Sequence, residues 1–343
     1  MRKLLLSLTV VALAAGGCSS TSARAKGSAD VLRLGVFPNI THAPAYVALG
    51  EGIFEKDLPG VDVQVTYYNS GSDAQTAIAT GSLDATYIGP GPSISAYLQT
   101  QGVAIVSGVA SDGASFVVRK GAGISSPEDL RGKKIAVPGY SNTQDVALRT
   151  WLREHGLDAK DAGGDVGVVA IDNPELLQNF KSGAIDGAWE PEPWPSYLEA
   201  EGVAEPFVNE ADLWPGGRFV VANLLVNTTY MRAHPDVIRG VVKANVDAIL
   251  AIQNDPDKAK RVVQAGLIQA GAPSLDQQVV DTAWSRLEFT WDPIASSLEK
   301  DARDSYALGY LEQDPANITK IYRLEDLNQI LQQLGEKPVE ISS

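Results

Sequence analysis

From Val31 onward the chain alternates short β-rich runs with capped helical runs, and that order leaves few folds open. "VLRLGVF" (Val31 to Phe37) alternates as a half-buried strand does. "THAPAYVALGEGIFEKD" follows, with Thr41 or His42 placed to open a helix. Val61 to Tyr68 reads as a second strand, and the helix after it is opened by Ser72 or Asp73, both good N-caps. "DATYIG" predicts a third strand and "PSISAYLQTQ" a third helix. The alternation continues through "KKIAVP", "TQDVALRTWLREHG", "VGVVAID" and "PELLQNFKSG". It predicts an α/β protein with parallel sheets. From His234 onward the sequence is mostly helical, ending in an amphipathic helix near "LEDLNQILQQLG".

An internal echo sharpens this expectation. "GSLDATYIGPGPSISAYLQTQGV" starts at Gly81, and "GAIDGAWEPEPWPSYLEAEGV" starts at Gly183. Each runs Gly-x-apolar-Asp, an apolar-aromatic strand, Pro-x-Pro, Tyr-Leu and Gly-Val. Proline cannot extend a sheet ladder but is tolerated at the start of a helix, so each Pro-x-Pro marks a strand's C-terminal end. Ligands of open α/β sheets bind along that edge. Two such units suggest two lobes facing a shared cleft. In that arrangement Trp189 and Trp194 form part of a cleft wall, with Glu190 and Glu192 at its rim or turned to a partner cation.

The start of the chain reads as an export signal. Arg2 and Lys3 precede an apolar run from Leu4 to Ala15 that is too short to span a bilayer comfortably. "AAGGCSS" then resembles a bacterial lipoprotein signal, with Cys18, the only cysteine, as the lipidated residue; a plain secretory signal is the alternative. Residues 1–18 are thus expected to be signal and anchor, and residues 19–29 a flexible tether. The formal net charge of -14 argues against a nucleic-acid partner.

Six ordered stretches carry a family resemblance: "LRLGVFPNITHAPAYVALGEGIFEK", "GSLDATYIGPGPSISAY", "SNTQDVALRTWL", "GAIDGAWEPEPWPSYL", "DLWPGGRFVVANLLV" and "AWSRLEFTWDPIASSLEKDARDSYALGYL". Together they resemble the periplasmic-type substrate-binding proteins of ABC importers, within the nitrate/sulfonate/taurine group and nearest its aliphatic-sulfonate branch. The resemblance covers Val31 to Leu334. It implies a two-lobed periplasmic-binding-protein fold, type II-like, with two crossover strands and a helical C-terminal region. Lobe 1 would take residues 30–115 plus 218–343 and lobe 2 residues 116–217. The crossovers fit Ala114 to Lys120 and Arg218 to Val226, and the lobes close over a ligand by hinge motion. The implied setting is outside the cytoplasm, at the outer face of the cytoplasmic membrane or in the periplasm. The implied partners are a small anionic ligand, an ABC permease and its ATPase subunits, and the membrane through a lipid anchor, with the protein itself a monomer.

Candidate site residues lie at helix openings, where unpaired N–H groups and the helix dipole bind anions without a formal charge. "PNITHAP" offers Asn39, Thr41 and His42, in a loop that approaches the ligand in the family. "NSGSD" offers Ser70, Gly71 and Ser72; "GPGPS" offers Gly89, Pro90 and Ser93. "GYSNTQD" offers Ser141, Asn142, Thr143 and Gln144, small donors suited to sulfonate oxygens. Simple capping is the competing role for these. The resemblance adds Trp189 and Glu190, against lobe packing as the alternative. Arg218 could pair an anion bidentately or answer one of the many carboxylates.

Nothing in the sequence points to catalysis. His42, His155 and His234 are scattered, and neither a Gly-x-Ser-x-Gly elbow nor a phosphate loop is present. The expectation is a binding protein that needs no cofactor and no metal. The resemblance makes an aliphatic sulfonate the first ligand class, and the tryptophans, which suit an alkyl or aromatic tail, lean away from nitrate. Taurine, nitrate or bicarbonate, and a thiamine-related pyrimidine are the alternatives, and an enzyme on the same fold is the rival of another class.

Overall fold

The computed structural model describes residues 31–341. The predicted signal, the lipidation residue Cys18 and the tether lie outside the described residues. The strands are β1 (Val31–Val36), β2 (Asp62–Tyr67), β3 (Ala85–Ile88), β4 (Val103–Asp112), β5 (Ala114–Arg119), β6 (Lys134–Val137), β7 (Gly167–Ala170), β8 (Gly187–Pro191), β9 (Ala204–Asn209), β10 (Val220–Asn227) and β11 (Leu287–Phe289). They form a six-stranded sheet in the order β11-β4-β10-β3-β1-β2 and a five-stranded sheet in the order β7-β6-β8-β5-β9. Each sheet is the floor of one lobe.

Burial explains the strand types. β2 sits at an edge, and its Asp62, Gln64 and Thr66 face water in strict alternation. β4 is buried almost throughout, as expected of an interior strand covered on both faces. The sheets are mixed, which corrects the all-parallel expectation. β1 runs parallel to β2 and β3, and β6 parallel to β7 and β8. β10 lies antiparallel to β3 and β4, and β5 antiparallel to β8 and β9. The reversal follows from connectivity, since β5 and β10 each enter a sheet directly from the other lobe rather than through a helical crossover within their own. The two echoed strands hold matching places: β3 lies between β1 and the antiparallel β10, and β8 between β6 and the antiparallel β5.

The first passage between sheets is short. β4 ends at Asp112 and β5 begins at Ala114, with Asp112 (φ 65°) and Gly113 (φ 70°) both left-handed. A Cβ on Gly113 would sit 2.2 Å from Leu287 Cδ2, so glycine is required there by space as well as by φ. The return passage runs from Asn209 to Val220.

The helices are α1 (Ala43–Gly50), α2 (Ile53–Asp57), α3 (Gly71–Ala79), α4 (Pro90–Thr100), α5 (Thr143–Glu154), α6 (Leu176–Ser182), α7 (Trp194–Ala200), α8 (Thr228–Ala233), α9 (Pro235–Asn254), α10 (Pro256–Gln269), α11 (Gln277–Ser285), α12 (Ala295–Ala307) and α13 (Glu325–Leu334). α3 starts at Gly71 with Ser70 as its cap, ahead of the predicted Ser72 or Asp73. The C-terminal helices α8 to α13 complete the first lobe, where α9 packs on α1, α2 and β4.

The second sheet carries a core on each face. Phe116, Ile135, Val137 and Trp189 meet Leu148 and Trp151 of α5 on one side. Val117, Ala136 and Ala188 meet Phe180 of α6 and Trp194 and Leu198 of α7 on the other. Trp189 and Trp194 therefore serve opposite cores of one sheet. Among the described residues, no helix is long and apolar enough to cross a membrane.

Candidate ligand-binding site

A cavity lies between the lobes at the C-terminal ends of the strands, within about 430 Å³ of non-atom space that is partly open to solvent. The first lobe lines it with Phe37, Asn39, Thr41, His42, Asn69, Gly71, Gly89 and Val221. The second lobe contributes Pro138, Asn142, Thr143, Gln144, Asn173 and Pro191.

The helix starts shape this cavity. α3, α4 and α5 open at Gly71, Pro90 and Thr143, each after a residue in extended conformation. Two of these starts come from the first lobe and one from the second, and they nearly touch. A Cβ on Gly71 would lie 2.7 Å from Asn142 Oδ1, and one on Gly89 2.7 Å from Thr143 Oγ1. The Gly91 N–H donates to Thr143 Oγ1 at 3.3 Å. Only residues without side chains allow the lobes to meet this closely.

No lysine, arginine, aspartate or glutamate lines this cavity among the described residues. Its polar wall is neutral: amides, hydroxyls and one imidazole. The Phe37 N–H donates to His42 Nδ1 at 3.2 Å, which leaves the ring proton on Nε2. Burial pushes the His42 pKa down to about 3, so the ring stays neutral and presents an N–H donor. Neutral donors together with helix N-termini can hold an anion while paying little for desolvated side-chain charge.

Behind the amides sits a buried carboxyl. Trp194 Nε1 donates to Asn39 Oδ1 at 2.8 Å, tying the second lobe to the first. In the amide orientation that satisfies its neighbours, Asn173 donates to Glu190 Oε2 at 3.0 Å. Glu190 Oε1 has no hydrogen-bond partner, and burial raises this carboxyl well above the usual carboxylate range.

Several expected residues lie elsewhere. Trp189 is fully buried, stacked on Phe116 at 5.4 Å, with Nε1 donating to Glu210 Oε2 at 2.7 Å; it belongs to a core and not to the cleft wall. Arg218 is a surface residue held by Glu288 through two hydrogen bonds of 2.9 and 3.1 Å. The Ser93 hydroxyl donates to the Gly89 carbonyl at 2.8 Å. Ser141 adopts φ 58°, and its N–H donates to Asp145 Oδ2 at 2.8 Å. Ser70 and Ser72 bond each other at 2.6 Å outside the lining, and Pro90 lines a different cavity. Glu190 is behind the lining rather than in it, while Glu192 meets the cation Arg286 at 2.9 Å. Sequence reasoning missed Phe37, Asn69, Pro138, Asn173, Pro191 and Val221. Asn173 was within reach of the same rule that found the others, because "IDNPE" follows β7 and opens a helical turn.

Comparison with known proteins bears on the family and the fold. The chain is 28% identical over 216 residues to the taurine-binding periplasmic protein of Escherichia coli K12, a match covering 62% of this chain and 64% of that one. It thus spans somewhat less than two thirds of that relative's length. The alkanesulfonate-binding protein of Xanthomonas axonopodis pv. citri, solved with MOPS bound, superposes with a TM-score of 0.72 at 17% identity, covering 86% of this chain and 99% of that one. The periplasmic nitrate-binding protein of Synechocystis PCC 6803 gives a TM-score of 0.73 at 16% identity, with 90% of each chain covered. At these identities the solved structures establish the two-lobed fold. The family model matches residues 25–268, and the chain belongs to the NMT1-like family.

Proposed function

We propose that this protein is the extracytoplasmic solute-binding component of an ABC importer, and that it captures a small anion, an aliphatic sulfonate, between its lobes. The observation that carries this reading is the meeting of the α3, α4 and α5 starts around a cavity whose polar lining is neutral. Sulfonate oxygens match those N–H and amide donors, while Phe37, Pro138, Pro191 and Val221 give an alkyl tail an apolar surface. The taurine and alkanesulfonate specificities named for its relatives support the same class. The function is binding without chemistry, followed by presentation of the closed complex to the permease and its ATPase subunits. Export as a monomer, with Cys18 as lipid anchor, completes the proposal.

An aminoalkanesulfonate such as taurine is the second reading. The taurine-binding relative favours it, and an unpartnered Glu190 oxygen lies behind the Asn173 amide that lines the cavity. Thermal unfolding of the purified protein against methane-, butane- and octanesulfonate, taurine, sulfate, nitrate, bicarbonate and an aminopyrimidine tests both. The buffer must not be a sulfonate. A ligand at about a hundred times its dissociation constant adds about 2.7 kcal/mol to stability. Stabilisation by the alkanesulfonates supports the proposal, and taurine alone selects the second reading. A response to nitrate, bicarbonate or the pyrimidine without any sulfonate response overturns both.

A further inference from the structure

A second cavity opens between the lobes on the far side of Thr143, within about 560 Å³ of non-atom space that is partly open to solvent. Its walls come from α5, from the return passage between β9 and β10, and from α12. The chemistry is opposite to that of the first cavity. Glu154, Glu210, Asp301 and Asp304 line it, against one lysine, Lys300. Asp301 is only 6% exposed, and its Oδ2 is buried without a hydrogen-bond partner. Buried carboxyl oxygens are normally answered by a donor, so an unanswered one on a residue that lines a cavity marks a place for one.

The rest of the lining narrows the kind of donor. Lys300 already lies over the Trp214 ring at 5.0 Å while pairing with Asp304 at 2.6 Å, so this wall holds a cation against an aromatic face. Trp151 supplies a second indole. No group of three or more His, Cys, Asp or Glu among the described residues is arranged to hold a metal ion. Carboxyls beside indoles suit an organic cation instead.

We propose that this second cavity binds a small alkylammonium ion, whose N–H groups donate to Asp301 and whose carbon chain lies between Trp151 and Trp214. Because α5 belongs to one lobe and α12 to the other, the bound ion touches both lobes.

The test is calorimetric titration of the full chain with n-butylammonium and with n-butanol, its neutral counterpart, at about pH 8. The ammonium ion is expected to bind and the alcohol to give no heat. Asp301→Asn should weaken butylammonium by about tenfold, the scale of one lost charge-assisted hydrogen bond. Since Asp301→Asn replaces a buried carboxyl with a neutral amide of the same shape, the variant is expected to fold. Lys300→Met, at a half-exposed position, should tighten binding by removing the resident positive charge. Equal binding of the alcohol, undiminished binding by Asp301→Asn, weaker binding by Lys300→Met, or no butylammonium binding at all would overturn the proposal.

Discussion

Arg286 reaches from the end of α11 in the first lobe to Glu192 in the second, with Nη1 donating to Oε1 at 2.9 Å. The same guanidinium donates to Glu199 at 3.0 and 2.9 Å and to Ser196 Oγ at 3.2 Å. Glu192 is fully buried, so its charge depends on this partner. Arg286→Met therefore strands a buried carboxyl and is expected to cost about 2–3 kcal/mol, toward the low end for a broken buried pair because Arg286 keeps some contact with water. Urea denaturation measures it. Adding Glu192→Gln to Arg286→Met should recover part of the loss, and a double variant no more stable than the single one would refute the pairing argument.

The glycines at the helix starts make a prediction about closure. At both Gly71 and Gly89 a Cβ would fall 2.7 Å from an atom of the opposite lobe. Gly71→Ala and Gly89→Ala are expected to hold the lobes slightly apart and to weaken the ligand by about tenfold or more, one hydrogen bond's worth of lost fit at each start. Both φ values are ordinary for alanine, so Gly89→Ala should hardly change thermal stability without ligand, whereas Gly71→Ala also meets Pro92 Cγ of its own lobe at 2.6 Å and is expected to lose some. Small-angle scattering with and without ligand reads the effect: the variants should contract less than the unaltered protein. Undiminished contraction and affinity would show that the close approach is not needed.

Much of this architecture was legible in the sequence because it rests on local signals. Alternation gave β1 and β2, and Pro-x-Pro marked the ends of β3 and β8. Helix openings at strand ends led to Asn39, Thr41, His42, Gly71, Gly89, Asn142, Thr143 and Gln144, all of which line the cavity. The burial of Trp189 was not legible, because alternation along β8 does not say which face lies under a helix. Arg218 was ambiguous for a related reason, since its partner Glu288 is 70 residues away. Long-range pairings such as Arg286 with Glu192 leave no local pattern.

Glu210 makes stability depend on pH in a defined window. It is buried under the indole N–H of Trp189, and burial raises its pKa from 4.5 to about 7. The folded state therefore holds the proton more tightly than the unfolded one. Its contribution is fully present below pH 4.5 and is lost as pH rises to about 7. That amounts to up to about 3 kcal/mol at 1.36 kcal/mol per pH unit. Burial gives Glu190 and Asp301 the same sign. His42 has the opposite one: its pKa falls from 6.5 to about 3, so its contribution is present above pH 6.5 and lost as pH falls toward 3. The clean measurement is the stability difference between the unaltered protein and Glu210→Gln. Relative to the variant, the unaltered protein should lose stability steadily from pH 4.5 to 7, and a flat difference would refute the assignment.

Trp189 and Asn173 separate core from cavity most directly. Trp189→Phe keeps the stack on Phe116 but removes the donor to Glu210, and is expected to cost about 1–2 kcal/mol of stability. Its absence from the cavity lining predicts an anion affinity within about twofold of the unaltered protein, less than the tenfold that one hydrogen bond commands. Asn173→Ala does the reverse. It removes a lining amide that also answers Glu190, so affinity should fall by about tenfold. Calorimetric titration with the ligand found in the stability screen, paired with urea unfolding of each variant, reads both quantities. Should Trp189→Phe lose affinity while Asn173→Ala keeps it, the cavity between the α3, α4 and α5 starts would not be where the ligand binds.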